Sequence, residues 1–165
     1  MAREITKVEI EKIKEEIAYR QSVITPQCIA EVQRTRALGD LSENDEYRSA
    51  KRELNHNYSR IRYLKGLLEN SKVVEYTSAH DSVGMFDTVT ILYIDDEEER
   101  KITIVTPLRN DVLHDRISNE SPLGMAIMGH KVGDTVDVHV NEKLTLKVKI
   151  LALEKGEDDT TLTIN

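Results

Sequence analysis

RALGDLSENDEYRSAK, residues 36–51, decides how the first half of this chain folds. Gly39 stops one apolar-periodic run and the pattern resumes after Asn44, so two helices meet here across a short joint. Four carboxylates fall between Gly39 and Glu46: Asp40, Glu43, Asp45 and Glu46, with no base among them. Arg34 and Arg36 stand just before them, and Arg48, Lys51 and Arg52 just after. The joint is an acidic point inside a basic collar.

The flanking runs explain why the joint must be a hairpin. In ITKVEIEKIKEEIAYR, residues 5–20, Ile10, Ile13 and Ile17 share one stripe, with Ile24 a heptad further on. Pro26 interrupts the run as a kink, and between Pro26 and Leu38 the stripe has no clear phase. Beyond the joint, Tyr47, Leu54, Ile61 and Leu68 are spaced by sevens, with Ala50 and Leu64 interleaved. Asn57 takes a core position in that register, where a polar residue fixes alignment. Two long amphipathic helices can each hide a stripe only against the other, which gives an antiparallel coiled-coil hairpin. Each arm of roughly 30 residues reaches on the order of 45 Å, with the acids at the far tip.

Charge changes where the texture changes. Residues 1–74 hold 14 Lys and Arg against 12 Asp and Glu, whereas residues 75–165 hold 9 against 18. The expected division is therefore a finger over 1–74, a linker over 75–82 and a second domain over 83–165. In the second half, MFDTVTILYI (85–94) and RKITIVT (100–106) read as strands around an exposed acidic turn, DDEEE. SPLGMAIMGH (121–130) reads as a short helix with Ser121 as N-cap and Gly129 past its end. DTVDVHV and KLTLKVKILALE supply two more strands across the turn at 141–143. The polar tail KGEDDTTLTIN, residues 155–165, is expected to fray. The whole is α+β, with a small antiparallel β domain after the helical hairpin.

Composition narrows the function. Apolar residues make up 39% and charged residues 32%, a balance that suits a soluble chain. No apolar run approaches the roughly 18 residues of a membrane span, and MAREITKVEI does not read as a signal peptide. The single cysteine, Cys28, allows no internal disulfide and fits a reducing cytoplasm. A net charge of −7 opposes non-specific binding to duplex nucleic acid, so any nucleic-acid contact is local. The five histidines show no metal-ligand spacing. Aromatic residues in the second half number only Tyr76, Phe86 and Tyr93, a poor supply for an apolar ligand pocket of the isomerase kind.

The acidic tip has two readings. In one, Asp40 or Ser42 caps the second helix and Glu43 or Asp45 completes a capping box. In the other, carboxylates about three residues apart around a turn converge on a hard cation such as Mg²⁺, and the basic collar holds a phosphate backbone beside it. A two-helix tip has no pocket walls, so a second molecule would complete such a site.

The same stretch resembles the signature of the bacterial Gre transcript cleavage factors, R-x-x-G-D-L-x-E-N-A-E-Y-x-A-A-K/R. It matches at Arg36, Gly39, Asp40, Leu41, Glu43, Asn44, Glu46, Tyr47, Ala50 and Lys51. ESPLGMAIMGHKVGDTVDV, residues 120–138, is similar to a second family motif at Ser121, Pro122, Ala126, Gly129, Gly133, Asp134, Val136 and Val138. The resemblance spans nearly the whole chain and is nearest the GreA branch. It departs at Asp45, where the family usually has Ala, and at Ser49, where Ala is frequent.

The resemblance implies a coiled-coil finger followed by an FKBP-like domain, acting as a transcription elongation factor on bacterial RNA polymerase. Such a finger enters the secondary channel when the enzyme has backtracked and the nascent RNA 3′ end is extruded. Asp40 and Glu43 then correspond to the acids that hold Mg²⁺ jointly with the polymerase, and cleavage occurs in the polymerase's own active site. Arg36 and Lys51 are the candidate RNA contacts, Asn44 and Tyr47 the support of the tip, and Glu120, Ser121 and Pro122 the polymerase-binding residues. The implied protein is a cytoplasmic, monomeric co-catalyst that binds no metal alone and cuts no RNA alone. The rival reading is a channel-blocking relative that inhibits without cleavage, and a less favoured one is an FKBP-like isomerase or chaperone. Asp45 lies two residues beyond Glu43, about 200° around a helix, so it is expected to face away from an ion there and to support the helix start.

Overall fold

The structure, a computed structural model, describes residues 2–39, 44–77, 79–158 and 164. The chain divides into two compact units, Met1–Val74 and Glu75–Asn165.

The first unit is a helical hairpin. It opens with a short strand, β1 (Arg3–Ile5), and then α1 (Lys7–Tyr19). Thr6 caps α1 in a capping box: the Glu9 amide donates to Thr6 Oγ1 at 3.3 Å, and the Thr6 amide donates to the Glu9 carboxylate at 2.8 Å. One π-helical turn, Arg20–Ile24, carries α1 into α2 (Thr25–Arg36). Its cause is Pro26. Proline has no amide hydrogen to offer the preceding turn, and the Thr25 amide instead reaches back five residues to the Arg20 carbonyl. The return arm is one unbroken helix, α3 (Asp45–Asn70), about 39 Å long at 1.5 Å per residue. After it, β2 (Ser71–Val73) pairs parallel with β1, Arg3 opposite Ser71 and Ile5 opposite Val73, and closes the base of the hairpin.

The seam is apolar at its base. Ile13 and Ile17 of α1 and Ile61, Leu64 and Leu67 of α3 are buried there, each fully buried aliphatic side chain of this size contributing about 1.5–3 kcal/mol, and Ala50 is buried nearer the tip. A polar layer interrupts it at mid-height. Asn57 is 3% exposed; its Nδ2 donates to Thr25 Oγ1 at 2.6 Å, and its Oδ1 accepts from Arg20 at 3.2 Å. Next to it the Glu16 carboxylate accepts from both Arg20 and Arg60, at 2.9 and 2.8 Å. Asn57 is thus the buried polar residue that its spacing indicated. Leaving the buried Asn57 amide unmatched would cost about 1–3 kcal/mol, so the layer resists sliding of one arm along the other.

The second unit is a curled five-stranded sheet with one short helix. Its elements are β3 (Thr88–Tyr93), β4 (Glu98–Val105), β5 (Arg116–Ser118), α4 (Pro122–Ile127), β6 (Thr135–Asn141) and β7 (Leu144–Glu154). The strand order is β5-β4-β3-β7-β6. Four strands pair antiparallel as their alternation implied, but β5 joins the edge of β4 in parallel, so the sheet is mixed. The core lies between the sheet and α4: Val89, Ile91, Ile102, Ile104, Val148 and Ile150 pack with Ile127, Val136 and Val138.

Residues 75–82, expected as a linker, fall within this unit. Tyr76 meets Phe86 edge-on at 6.3 Å, and Ser82 bridges to Lys131. Of the tail expected to fray, residues 159–163 and 165 lie outside the described residues, and the first four residues differ from that expectation. Lys155 to Asp158 are anchored rather than frayed: Lys155 and the Gly156 amide bind the fully buried Asp87 carboxylate, and Asp158 pairs with Arg109. Among the described residues no helix is long and apolar enough to cross a membrane.

Candidate functional site

At the tip, α2 ends at Arg36, Ala37 caps it, and Gly39 takes a φ of +124°, a backbone conformation open to glycine. Asp40 and Glu43, the sequence's candidate metal ligands, lie outside the described residues, as do Leu41 and Ser42. Their flanks are well defined. Asn44 is the N-cap of α3, its Oδ1 accepting from the Tyr47 amide at 2.9 Å. Its Nδ2 donates across the joint to the Thr35 carbonyl at 2.7 Å, one of the last carbonyls of α2. One side chain therefore finishes one helix and starts the other. The cap belongs to Asn44, not to Asp40 or Ser42 as the first reading of the tip had it.

Thr35 escaped the sequence reading. It sits in a charged run between Arg34 and Arg36, yet it is fully buried, its hydroxyl donating to the Glu31 and Val32 carbonyls at 2.9 and 3.1 Å. The signal available was its neutrality between two arginines at the end of a helix.

The collar separates into paired and open charges. Arg34 grips Glu31 with two bonds, at 2.7 and 2.9 Å, and reaches Glu46 across the hairpin at 3.5 Å. Its guanidinium holds the Glu31 carboxyl below the usual carboxylate range, and Glu31 in turn raises Arg34. The Arg34–Glu46 contact between α2 and α3 is solvent-exposed on both sides, so it adds little to holding them together. Lys51 Nζ lies 5.4 Å from the centre of the Tyr47 ring, which brings the candidate RNA contact onto the candidate support residue. Arg36 is exposed on the last turn of α2. Asp45 sits at the first position of α3 with its side chain 95% exposed and an ion pair to Arg48 at 3.8 Å, a place that complements the helix dipole.

In the second unit, Ser121 is the N-cap of α4: its Oγ accepts from the Gly124 amide at 3.0 Å and donates to the Ser118 carbonyl at 2.6 Å. Pro122 fills the first helical position, where its missing N–H costs nothing, and Gly129 beyond the end takes φ +79°. Glu120 and Pro122 are exposed on either side of the half-buried Ser121. The three residues form a rigid corner with a carboxylate and a proline ring turned to solvent.

Both units match known proteins. Residues 4–73 match the N-terminal domain of transcription elongation factors, and residues 78–155 match the GreA/GreB C-terminal domain. Transcription elongation factor GreA of Thermoanaerobacter pseudethanolicus is 37% identical over 147 residues, 88% of this chain and 93% of that one. GreA of Limosilactobacillus fermentum is 37% identical over 144 residues, 87% of this chain and 90% of its own. The solved structure of GreA factor homolog 1 of Thermus thermophilus is 22% identical and covers 94% of this chain and 100% of its own, with a TM-score of 0.43, a likeness too loose to bear on function.

Proposed function

The chain belongs to the GreA/GreB family of transcription elongation factors, and from that premise we propose that it stimulates RNA cleavage by bacterial RNA polymerase. The finger enters the secondary channel of a backtracked enzyme, and the tip meets the extruded RNA 3′ end in the cytoplasm. The observation that supports this reading best is the pair of hydrogen bonds by which Asn44 donates to the Thr35 carbonyl and accepts from the Tyr47 amide, joining the two helix ends that flank the acidic segment.

Asp40 and Glu43 are the residues that would hold Mg²⁺ there. They are hard oxygen donors, and two carboxylates suit an ion that keeps its remaining positions for water and phosphate. When bound, Mg²⁺ polarises phosphate and lowers the pKa of its water. The chain's own part is positional. Asn44, accepting from the Tyr47 amide and donating to the Thr35 carbonyl, holds the two helix ends together. Arg36 and Lys51 are placed to bind RNA phosphate by charge-assisted hydrogen bonds. Glu120, Ser121 and Pro122 supply the docking corner, so affinity and cleavage reside in different units. The factor works as a monomer, contributes ligands to an active site that belongs to the polymerase, and is itself no nuclease.

The test is a cleavage assay on a stalled, backtracked polymerase complex. Asp40→Ala and Glu43→Ala are expected to abolish stimulated cleavage while polymerase binding persists. Cleavage at near wild-type rate in both variants would overturn the metal reading. Inhibition of elongation by the wild-type chain without any cleavage would establish the channel-blocking alternative.

A further inference from the structure

The four residues after β7 are built into the second unit more firmly than a tail requires. The Asp87 carboxylate, fully buried, accepts from the Gly84 amide at 2.8 Å, the Gly156 amide at 3.0 Å and the Lys155 ammonium. Lys155 also donates to the Ser82 carbonyl at 2.9 Å. A Cβ at position 156 would lie 2.0 Å from the Phe86 carbonyl oxygen, so only glycine lets the backbone come this close. Two residues on, Asp158 pairs with the guanidinium of Arg109, which is 1% exposed and lies 5.2 Å from the centre of the Phe86 ring. Residues 156–158 lie past 78–155, the stretch that matches the GreA/GreB C-terminal domain.

Arg109 leads to the docking corner. It ends the turn Pro107–Arg109, and the next residue, Asn110, accepts the Ser118 amide on its side-chain oxygen at 2.9 Å. Ser118 then lays down the corner. Its carbonyl accepts the Ser121 amide at 3.0 Å and the Ser121 hydroxyl at 2.6 Å, and its Oγ accepts the Glu120 amide at 3.1 Å. The fit is tight, since a Cβ on Gly124 would stand 2.1 Å from that same carbonyl.

We propose that Asp158 and Arg109 are positioning residues for the Glu120–Ser121–Pro122 corner, with residues 155–158 acting as a strap that sets it through Asn110 and Ser118. The functional half of this rests on the reading of that corner as the polymerase-docking site. Arg109 is buried and lies against an aromatic ring, so its pair with Asp158 holds its geometry where a pair exposed on both sides would not, and removing Asp158 takes a carboxylate away from a buried guanidinium. Setting the corner before binding spares the ordering cost that a loose loop would pay on docking.

Amide hydrogen exchange on the free full-length protein reads the strap without polymerase. Asp158→Asn is expected to speed exchange at Ser118 and Glu120 several-fold while the amides of β3 and β7 keep their protection, and to weaken polymerase binding several-fold. Asp158→Glu should restore both. Gly156→Val, which displaces the strap with Arg109 and Asp158 both intact, should reproduce Asp158→Asn. Unchanged exchange at Ser118 and Glu120 in both Asp158→Asn and Gly156→Val overturns the proposal. So does unchanged polymerase affinity in both while Glu120→Lys lowers it. Should Glu120→Lys itself leave affinity untouched, the docking reading has failed, and faster exchange at Ser118 and Glu120 still upholds the strap.

Discussion

Asn44 and Thr35 face each other across the tip of the hairpin, and the 2.7 Å bond from the Asn44 side-chain amide to the Thr35 carbonyl joins the end of one helix to the start of the next. An amide side chain suits the place because it must accept from Tyr47 and donate to Thr35 at once.

Asn44→Ala removes both bonds. It is expected to cost about 1 kcal/mol through the lost cap and to reduce transcript cleavage more than polymerase binding. Asn44→Asp separates the two effects, since a carboxylate still caps α3 but cannot donate to Thr35. Its melting temperature should recover while cleavage stays low. Full cleavage in Asn44→Asp would show that the bond to Thr35 is dispensable.

The polar layer gives the hairpin an acid limit. Arg60, and after it Arg20, hold the Glu16 carboxyl below its ordinary pKa by hydrogen bonding, against the opposing effect of burial. A depressed folded pKa means that the stabilisation is complete above the unfolded value, about 4.3, and is lost as pH falls through the lower folded value. Helical ellipticity melts should therefore be level above pH ~5 and fall below pH ~4. Glu16→Gln should lower the plateau and flatten that fall. An acid limb of unchanged steepness in Glu16→Gln would remove Glu16 as its source.

The Asp45 side chain is exposed at the first turn of α3 beside Arg48. Asp45→Ala is expected to leave the Mg²⁺ concentration for half-maximal cleavage unchanged and to lower helix stability slightly through the lost dipole contact. A displaced Mg²⁺ titration would make Asp45 a ligand beside the proposed Asp40 and Glu43.

At the proposed docking corner, recognition and support are expected to separate by residue. Glu120→Lys combined with Pro122→Ala changes the two exposed side chains and should weaken polymerase binding at an unchanged melting temperature. Ser121→Ala removes the cap and should cost about 1 kcal/mol of stability. If the double variant binds polymerase as the wild type does, these residues leave the interface.

Much of this was legible because local rules and tertiary demand coincide. Ile13, Ile17, Ile61 and Leu64 were readable as a seam from their spacing, and Asn57 as its polar exception. Ser121 announced its helix by standing before proline. The Asn44 cap was obscured by stronger-looking candidates at Asp40 and Ser42, since composition cannot say which of several good caps sits at the boundary. The parallel strand pairs Arg3–Ile5 with Ser71–Val73, and Arg116–Ser118 with Thr103–Val105, were illegible because three-residue strands carry no period. Arg109 with Asp158 was hidden for another reason: a buried arginine is decided by a residue 49 positions away (158 − 109).

The stretch between Pro26 and Leu38 resisted phasing because the π-helical turn ahead of it holds one residue more than an α turn would. Inward positions that would have continued near 27, 31 and 34 fall instead at Cys28, Val32 and Thr35. The hairpin thus carries a spare residue in its outgoing arm, and its tolerance to changes of length is uneven. Deleting one residue within 21–24 lets the π turn relax to α while Arg20 stays in the polar layer and the segments on both sides keep their facing. Deleting one residue within 27–34 rotates everything downstream by about 100°, turns Thr35 away from Asn44 and opens the tip. Single-residue deletions along this arm should be accepted at the turn and rejected beyond it.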